Sequence, residues 1–198
     1  FCDLAGHQHI HKGLTSRDLT DNVEQLQIIR SLKKIRLKVV AVLYQFGSWS
    51  LRTKNIPLVA RTHNVPAQPT TLGKRISMFG EEILFALGRL DHLIENYPMR
   101  GIQGAVGTRL DQLELMNGDE KKLLKLNKLV LENFDFSSVM NSVGQIYPRS
   151  LDLETVKSLI AISSGISSFA KTLRLMAGLD LATEGFQQGQ TGSSAMPH

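Results

Sequence analysis

Reactive and hydrogen-bonding side chains concentrate in a few polar segments of this 198-residue chain. The segments are HIHKGLTSRDLTDN (9–22), RTHNVPAQPTTLGKR (61–75), RGIQGAVGT (100–108), SVGQIYPRS (142–150) and TEGFQQGQTGSSAMPH (183–198). A linker needs only flexible or polar residues, whereas these segments are rich in side chains that donate, accept or carry protons. We therefore predict a site that is built from the ends of several elements.

His63 is a candidate general acid or base. It stands between Thr62 and a proline-containing stretch for which the sequence predicts irregular structure, just before a long helix. A histidine in a loop usually has no catalytic function. Here, however, the neighbouring Thr62, Gln68, Thr70 and Thr71 could orient an imidazole, which titrates near neutrality.

Thr15 and Ser16 precede a predicted helix, and two interpretations of them stay open. The first is that they cap the helix N-terminus. The second uses the same geometry for binding, because free backbone N–H groups and two hydroxyls at a helix start form a ready site for a carboxylate.

Three histidines near the start of the chain, His7, His9 and His11, lie close in sequence to the single cysteine, Cys2. His and Cys at short spacing can coordinate zinc, but this spacing matches no standard ligand pattern, and no second cysteine or carboxylate cluster completes four ligands. We predict no metal and no cofactor. His9 and His11 would face the same side of an extended segment, so that one could be catalytic and the other structural.

The stretch GQTGSSAMPH (189–198) also allows two interpretations. Gly and Ser are typical of a flexible linker. Met and Pro directly after a serine pair are not typical of linkers, and a glycine-hinged loop is what a lid that closes over a reaction requires.

Composition argues against several classes of protein. The hydrophobic content of 42% is that of a globular protein, and the longest apolar-looking segment is interrupted by serines and too short to span a bilayer. One cysteine permits no internal disulfide, which favours a reducing compartment such as the cytoplasm. The net charge is +5, but the densest basic cluster, RSLKKIRLK, fills the polar face of an amphipathic segment without interleaved aromatic residues. We expect neither nucleic acid nor a membrane as a partner.

Apolar periodicity predicts helices over residues 19–49, 71–97, 119–133 and 152–182. The last of these has a stripe rich in small residues, which predicts a tightly packed seam: Val156, Ile160, Ser163, Ile166, Ala170, Leu173, Ala177 and Asp180. No segment shows sustained alternation, so we predict an all-α fold, a bundle of long helices. Its apolar stripes exceed what so few partners could cover, and we expect other copies of the chain to complete the bundle.

Three of the polar segments, in this order, resemble the signature regions of the fumarase/aspartase superfamily: GLTSRDLTDN, RTHNVPAQPTTLGKR and GSSAMPH. The ending is similar to the flexible-loop signature of the superfamily, in which a catalytic Ser precedes Met-Pro. Within the superfamily, AQPTTLGKR and a His after Met-Pro look like adenylosuccinate lyases. The resemblance covers the whole chain.

This resemblance implies an enzyme that eliminates fumarate from adenylosuccinate, giving AMP, and from the succinyl-carboxamide ribotide of purine synthesis. It implies a homotetramer in which three subunits contribute to each active site, with a purine nucleotide as the small-molecule partner. Under the resemblance Ser193 is the general base, His63 is the general acid, and His11 supports His63 or holds a substrate group. The residues that it assigns to substrate binding are Thr15, Ser16, Thr62, Thr108, Gln145, Arg149 and Ser194.

Two features depart from the resemblance. Asn64-Val65-Pro66 follows His63 where the family often has Gly-Gln, which leaves the substrate contacts there open. The chain stops at His198, before the Lys and Asn of the loop signature. We expect residues 1–198 to be a central helical-bundle fragment of a longer enzyme, without its N-terminal and C-terminal domains and inactive alone.

Two alternatives stay in view. An argininosuccinate lyase-like enzyme would share the fold, but AQPTT and MPH speak against it. A non-catalytic helical scaffold of the same superfamily would have no need of His63, Thr15, Ser16 or Ser193.

Overall fold

The computed structural model describes residues 1–183, 185, 187–190, 192 and 195. It consists of long helices and one β-hairpin, and the predicted long-helix fold is confirmed. The elements are α1 (Cys2–Ala5), α2 (Ser16–Arg52), β1 (Pro57–Thr62), β2 (Val65–Thr71), α3 (Leu72–Asn96), α4 (Leu110–Leu115), α5 (Glu120–Phe134) and α6 (Ser150–Gly178). None of the helices in the described part of the chain is long and apolar enough to cross a membrane.

The core lies between α2, α3 and α6. Leu32 and Val39 of α2 pack with Ile83 and Leu90 of α3 and Ile162 of α6, and all five are buried. Helix α3 runs antiparallel to α2. Its first turn, at Gly73, lies against the last turn of α2, and Tyr97 and Met99, which follow α3, pack against Leu26 and Ile29 in the first half of α2. Helix α6 then runs back alongside α3. The three helices therefore define two ends of the molecule.

Helix boundaries follow the capping signals. Thr71 accepts a hydrogen bond from the backbone N–H of Lys74 at 3.2 Å and begins α3, and Pro98 follows its end. Asp119 accepts from the backbone N–H of Lys122 at 3.1 Å and begins α5. These side chains satisfy N–H groups that have no partner within the helix. Both helices start and end within a residue or two of their predicted limits.

The predicted packing stripe of α6 is wrong within this chain. Val156 and Ile160, which belong to it, are 49% and 62% exposed. The stripe that α6 buries is shifted by two residues and includes Ser158, Ile162 and Gly165. The reason is that α6 is apolar or small on more than one face, so that periodicity alone does not decide which face meets α3.

The irregular structure predicted around His63 is also wrong, because residues 57–71 form an antiparallel hairpin. His63 and Asn64 occupy its two-residue turn, with φ angles of 50° and 64°. Positive φ at both positions is the geometry that matches the twist of paired strands. The prolines of β2 hid the strand in the sequence, but in a two-stranded hairpin each strand has a free edge that tolerates proline.

Gly165 permits the close approach of α6 and α3. A Cβ at this position would lie 2.9 Å from Cγ1 of Ile83, which is fully buried. We predict that Gly165→Leu in the full-length protein lowers the free energy of unfolding by about 1–3 kcal/mol, as overpacking does. Gly47→Leu is the matched control, because Gly47 is also in a long helix and a Cβ there would have nothing within 4 Å. Urea unfolding of both variants checks this, and equal stability of the two would contradict the packing argument.

Candidate functional site

The first three turns of α2 carry a buried polar face. Asp18, Asp21, Asn22 and Gln25 recur at helical spacing and are at most 6% exposed. The same face continues with apolar Ile29. The buried stripe of the helix is therefore polar near its start and apolar further along. Our sequence analysis missed this cluster. The signal was present, because acidic and amide residues at spacings of three and four begin a stripe that later becomes apolar.

Two amides of this face hold the chain that follows α3. Asn22 donates to the carbonyl oxygen of Gly101 at 3.0 Å and accepts from its N–H at 2.9 Å. Gln25 donates to the carbonyl oxygen of Pro98 at 3.1 Å and accepts from the N–H of Arg100 at 2.7 Å. Backbone groups of an irregular segment are thus satisfied by side chains of a helix, which is how such a segment can be buried.

The glycine-rich loop 100–108 is anchored by an ion pair between Arg100 and Asp18. The side chains are 0% and 1% exposed, and Oδ1 of Asp18 also accepts from the backbone N–H groups of Gln103 and Gly104 at 2.8 and 3.1 Å. Oδ2 accepts from the N–H of Thr15 at 2.8 Å. A buried ion pair is stable only when its remaining hydrogen-bonding capacity is satisfied, and this carboxylate is.

A third segment, 142–149, joins the same end of the molecule. Arg100 donates to the carbonyl oxygens of Gly104 and Gly144 at 2.9 and 3.2 Å. Asp21 accepts from the N–H of Tyr147 at 3.0 Å. Gly107 touches this segment so closely that a Cβ would lie 1.7 Å from the carbonyl oxygen of Val143. The start of α2, the loop 100–108 and the segment 142–149 are therefore fixed relative to one another.

Several predicted site residues meet at this end of the bundle. Thr15 is the N-cap of α2, which agrees with the first of the two interpretations of this segment, and Ser16 is its first helical residue. Thr108 and Gln145 are exposed residues of the two loops that the buried cluster anchors. His11 belongs to the neighbouring turn, which α4 supports through a short hydrogen bond from Gln112 to the carbonyl oxygen of Gly13.

Arg149 lies at the same end, but its charge is already shared. Its guanidinium stands 3.2 Å from Asp152 and 3.6 Å from Glu24, and 4.5 Å from the ring centroid of Tyr147. The hydrogen bond to Asp152 raises the pKa of Arg149 above its ordinary value. Burial, reinforced by its hydrogen bond to Asp152, raises the pKa of Tyr147. Arg149 therefore stays charged and Tyr147 stays neutral near neutral pH.

Thr62 and His63 lie at the opposite end of the molecule. The hairpin begins after the last turn of α2, and α2 has 37 residues, which makes it about 55 Å long. A strand of six residues reaches back at most about 20 Å. More than about 25 Å therefore separates His63 from Thr15 within one chain. His63 is exposed, and its side chain makes no hydrogen bond or ion pair with a described residue.

The chain after α6 also starts at the hairpin end. Residues 181–183 line a cavity of about 320 Å³ together with Trp49, Thr53 and Arg75. Ser193 and Ser194, the predicted base and its neighbour, lie outside the described residues.

The histidines near the start of the chain do not form a metal site. The rings of His7 and His9 stack with their centroids 4.7 Å apart. Among the described residues, no three His, Cys, Asp or Glu side chains are arranged to hold a metal ion.

A sequence profile of the lyase family matches residues 3–198, which is nearly the whole chain. The chain belongs to this lyase family. The match includes both ends of the bundle, so the buried cluster, the hairpin and the polar loops are all parts of one family domain.

Individual lyases agree with the assignment. The chain is 35% identical over 189 residues to an adenylosuccinate lyase of Schizosaccharomyces pombe, covering 96% of the chain and 39% of that protein. It is 34% identical over 191 residues to an adenylosuccinate lyase of Schistosoma mansoni, covering 96% of the chain and 40% of that protein. The chain thus spans about two fifths of the length of these relatives.

A solved structure agrees on the fold. The crystal structure of a fumarate lyase from Mesorhizobium sp. BNC1 superposes with a TM-score of 0.73 at 18% identity. The superposition covers 91% of this chain and 44% of that one. At this identity the likeness establishes the long-helix fold alone.

The contact between Gly107 and Val143 generates a prediction about the two loops. Gly107→Ala in the full-length lyase places a Cβ in the carbonyl oxygen of Val143, at a φ of 81° that also disfavours alanine. Gly118→Ala is the matched control, because its φ is 75° but nothing lies within 4 Å. We expect Gly107→Ala to lower the free energy of unfolding by at least about 2 kcal/mol more than the control does. Urea unfolding measures both losses, and equal losses would show that the two loops are not in contact.

Proposed function

We propose that this chain is the central part of an adenylosuccinate lyase, which eliminates fumarate from adenylosuccinate to leave AMP, and likewise from the succinyl-carboxamide ribotide. The separation of Thr15 and Ser16 from His63 by more than about 25 Å carries the proposal. A lyase whose sites are shared between copies needs its binding and proton-donating groups at opposite ends of a long bundle. The adenylosuccinate lyases among its relatives supply the substrate.

The proposed reaction breaks a carbon–nitrogen bond in two proton transfers. Ser193 removes the proton from the carbon next to a carboxylate of the succinyl group, and the negative charge develops on that carboxylate. His63 then gives a proton to the departing nitrogen as the bond to carbon breaks. Donors must be in position before the charge forms, which suits the hydroxyls and backbone N–H groups at the start of α2.

The remaining residues of the proposed site have binding roles. Thr15 and Ser16 hold a carboxylate of the fumaryl part, and His11 supports His63 or holds a substrate group. The other proposed substrate contacts are Thr62, Thr108, Gln145, Arg149 and Ser194. Glu24 and Asp152 already pair with the guanidinium of Arg149. We therefore propose that Arg149 makes a polar contact with the substrate and is not the main residue that binds an anionic group.

We further propose a homotetramer. Apolar side chains on three helices support it, because Tyr44 of α2, Phe85 of α3 and Ile160 of α6 are 62–73% exposed in the single chain. A soluble monomer rarely leaves so many large apolar groups in water. The proposed assembly covers these faces and also carries the hairpin of one copy to the Thr15 end of another.

The proposed context follows from the reaction. The partner molecule is a purine nucleotide, no nucleic acid or membrane is involved, and no cofactor or metal is needed. Residues 1–198 form the central helical-bundle domain of a longer enzyme. The single cysteine fits a reducing compartment, for which we propose the cytoplasm.

Fumarate release by the full-length protein tests the activity. We expect adenylosuccinate to be converted, and His63→Gln to lower kcat at least ~100-fold, since general acids contribute about 10²–10⁴. Stability should change little because His63 is exposed. His92→Gln, an exposed histidine of α3, is the control and should keep near-normal activity. Release from argininosuccinate instead would favour the alternative enzyme, and no release from either would favour a scaffold.

A mixing experiment tests whether copies share the site. His11→Gln and His63→Gln full-length chains are unfolded together in equal amounts and reassembled. When a site draws the two histidines from different copies, about one site in four receives both intact groups, so activity should return to roughly a quarter of the wild type. Activity that stays at the level of the single variants, in mixtures shown to contain hybrids, would refute the shared site.

A further inference from the structure

We propose that Asp18 is the positioning residue of the site: it fixes the glycine-rich loop 100–108 against the Thr15–Ser16 start of α2. The inference rests on the proposed function for its catalytic consequence. Asp18 itself does not touch the substrate, because its side chain is 1% exposed.

The two oxygens of Asp18 hold different parts of the chain. Among the described residues, Oδ2 accepts from the backbone N–H of Thr15 alone, at 2.8 Å. Oδ1 accepts from the backbone N–H groups of Gln103 and Gly104 and from Arg100. The two oxygens of a carboxylate are about 2.2 Å apart by standard bond lengths. This rigid group therefore sets the distance between Thr15 at the start of α2 and the loop 100–108, whose Gln103 is 85 residues from Asp18 in sequence.

The charge of Asp18 would by itself oppose this role. A carboxylate at the start of a helix competes with any anion that the same helix end binds. Here the guanidinium of Arg100, fully buried, pairs with it and cancels the charge. The charge of Asp18 therefore does not oppose a substrate carboxylate at the Thr15–Ser16 end of α2, and Asp18 serves as a spacer.

No other described carboxylate joins these two segments. Asp21, one turn further along α2, contacts the 142–149 segment and Arg17 instead. The loop also bonds to Asn22 through Gly101, but that amide lies about two helical turns away from Thr15. Loss of the Asp18 contacts should therefore release the loop from the helix start and leave the loop's other anchors in place.

Amide hydrogen exchange in the full-length protein tests the positioning without reference to activity. In Asp18→Asn the amide side chain cannot accept from Thr15 with one end and from Gln103 with the other, since one end is now a donor. We expect peptides covering 12–18 and 100–108 to exchange at least about tenfold faster together. Asp91→Asn, which weakens a half-buried ion pair with Arg36 in the middle of the bundle, is the control and should change neither peptide. Faster exchange in only one of the two segments would overturn the proposal.

Steady-state kinetics test the catalytic consequence. KM does not depend on how much of the enzyme is active, so a purely structural defect lowers the apparent kcat and leaves KM unchanged. We expect Asp18→Asn to raise KM for adenylosuccinate at least about tenfold, because misplaced binding groups weaken ground-state binding. We expect kcat to fall as well, because the bound substrate is no longer aligned with the reacting groups. A wild-type KM in folded Asp18→Asn would overturn the proposal.

Asp18→Glu guards against failure of the Asn variant to fold. It keeps the charge opposite Arg100, so the buried ion pair can form, but its extra methylene moves the loop away from Thr15. We expect a folded protein with raised KM and faster exchange in both segments, and wild-type values in both measurements would overturn the proposal. A wild-type protein that releases no fumarate would refute the proposed function alone, because the exchange experiment still decides the positioning.

Discussion

The buried carboxylate of Asp18 is the interaction on which the geometry of one end of the molecule depends. It accepts hydrogen bonds from the start of its own helix and from the loop 100–108, and Arg100 compensates its charge. Arg100 then donates to the carbonyl oxygen of Gly144, which ties the third segment to the same point. A buried charge without these partners would cost several kcal/mol. The cluster is therefore stable only when all three segments are in place, and that requirement orders the two loops.

The length of α2 is the second constraint. A helix of 37 residues, about 55 Å long, places the polar cluster near its start and the hairpin after its end, and α3 and α6 pack along it as rigid supports. Rigid helices hold functional groups at fixed positions, but they also keep groups at opposite ends of one chain apart. A site that needs both ends must bring a second copy alongside the first. The apolar faces left open on the three helices and the polar groups at both ends are thus consistent with the same arrangement.

The sequence predicted those features that local chemistry decides. The caps at Thr71 and Asp119 and the break at Pro98 set the limits of α3 and α5, and Thr15 caps α2 as predicted. The hairpin was not predictable from alternation, because neither strand has a buried residue, and β2 is exposed over most of its length and contains proline. No buried face therefore imposes a period of two. The packing face of α6 depended on which partner it meets. The polar cluster was not predicted, because Asp18 and Arg100 are 82 positions apart in sequence and come into contact only in the folded chain.

The exposed position of His63 follows from the same constraints. In the single chain the imidazole stands at the exposed tip of a two-residue turn, where no hydrogen bond to a described residue orients it. Its backbone is nevertheless held, because positive φ at His63 and Asn64 closes the hairpin and fixes the direction in which the ring leaves the turn. A rigid arm that presents an otherwise unsupported group is suited to a surface on another copy. At that surface the other copy would bury the imidazole, orient it and bring the substrate to it.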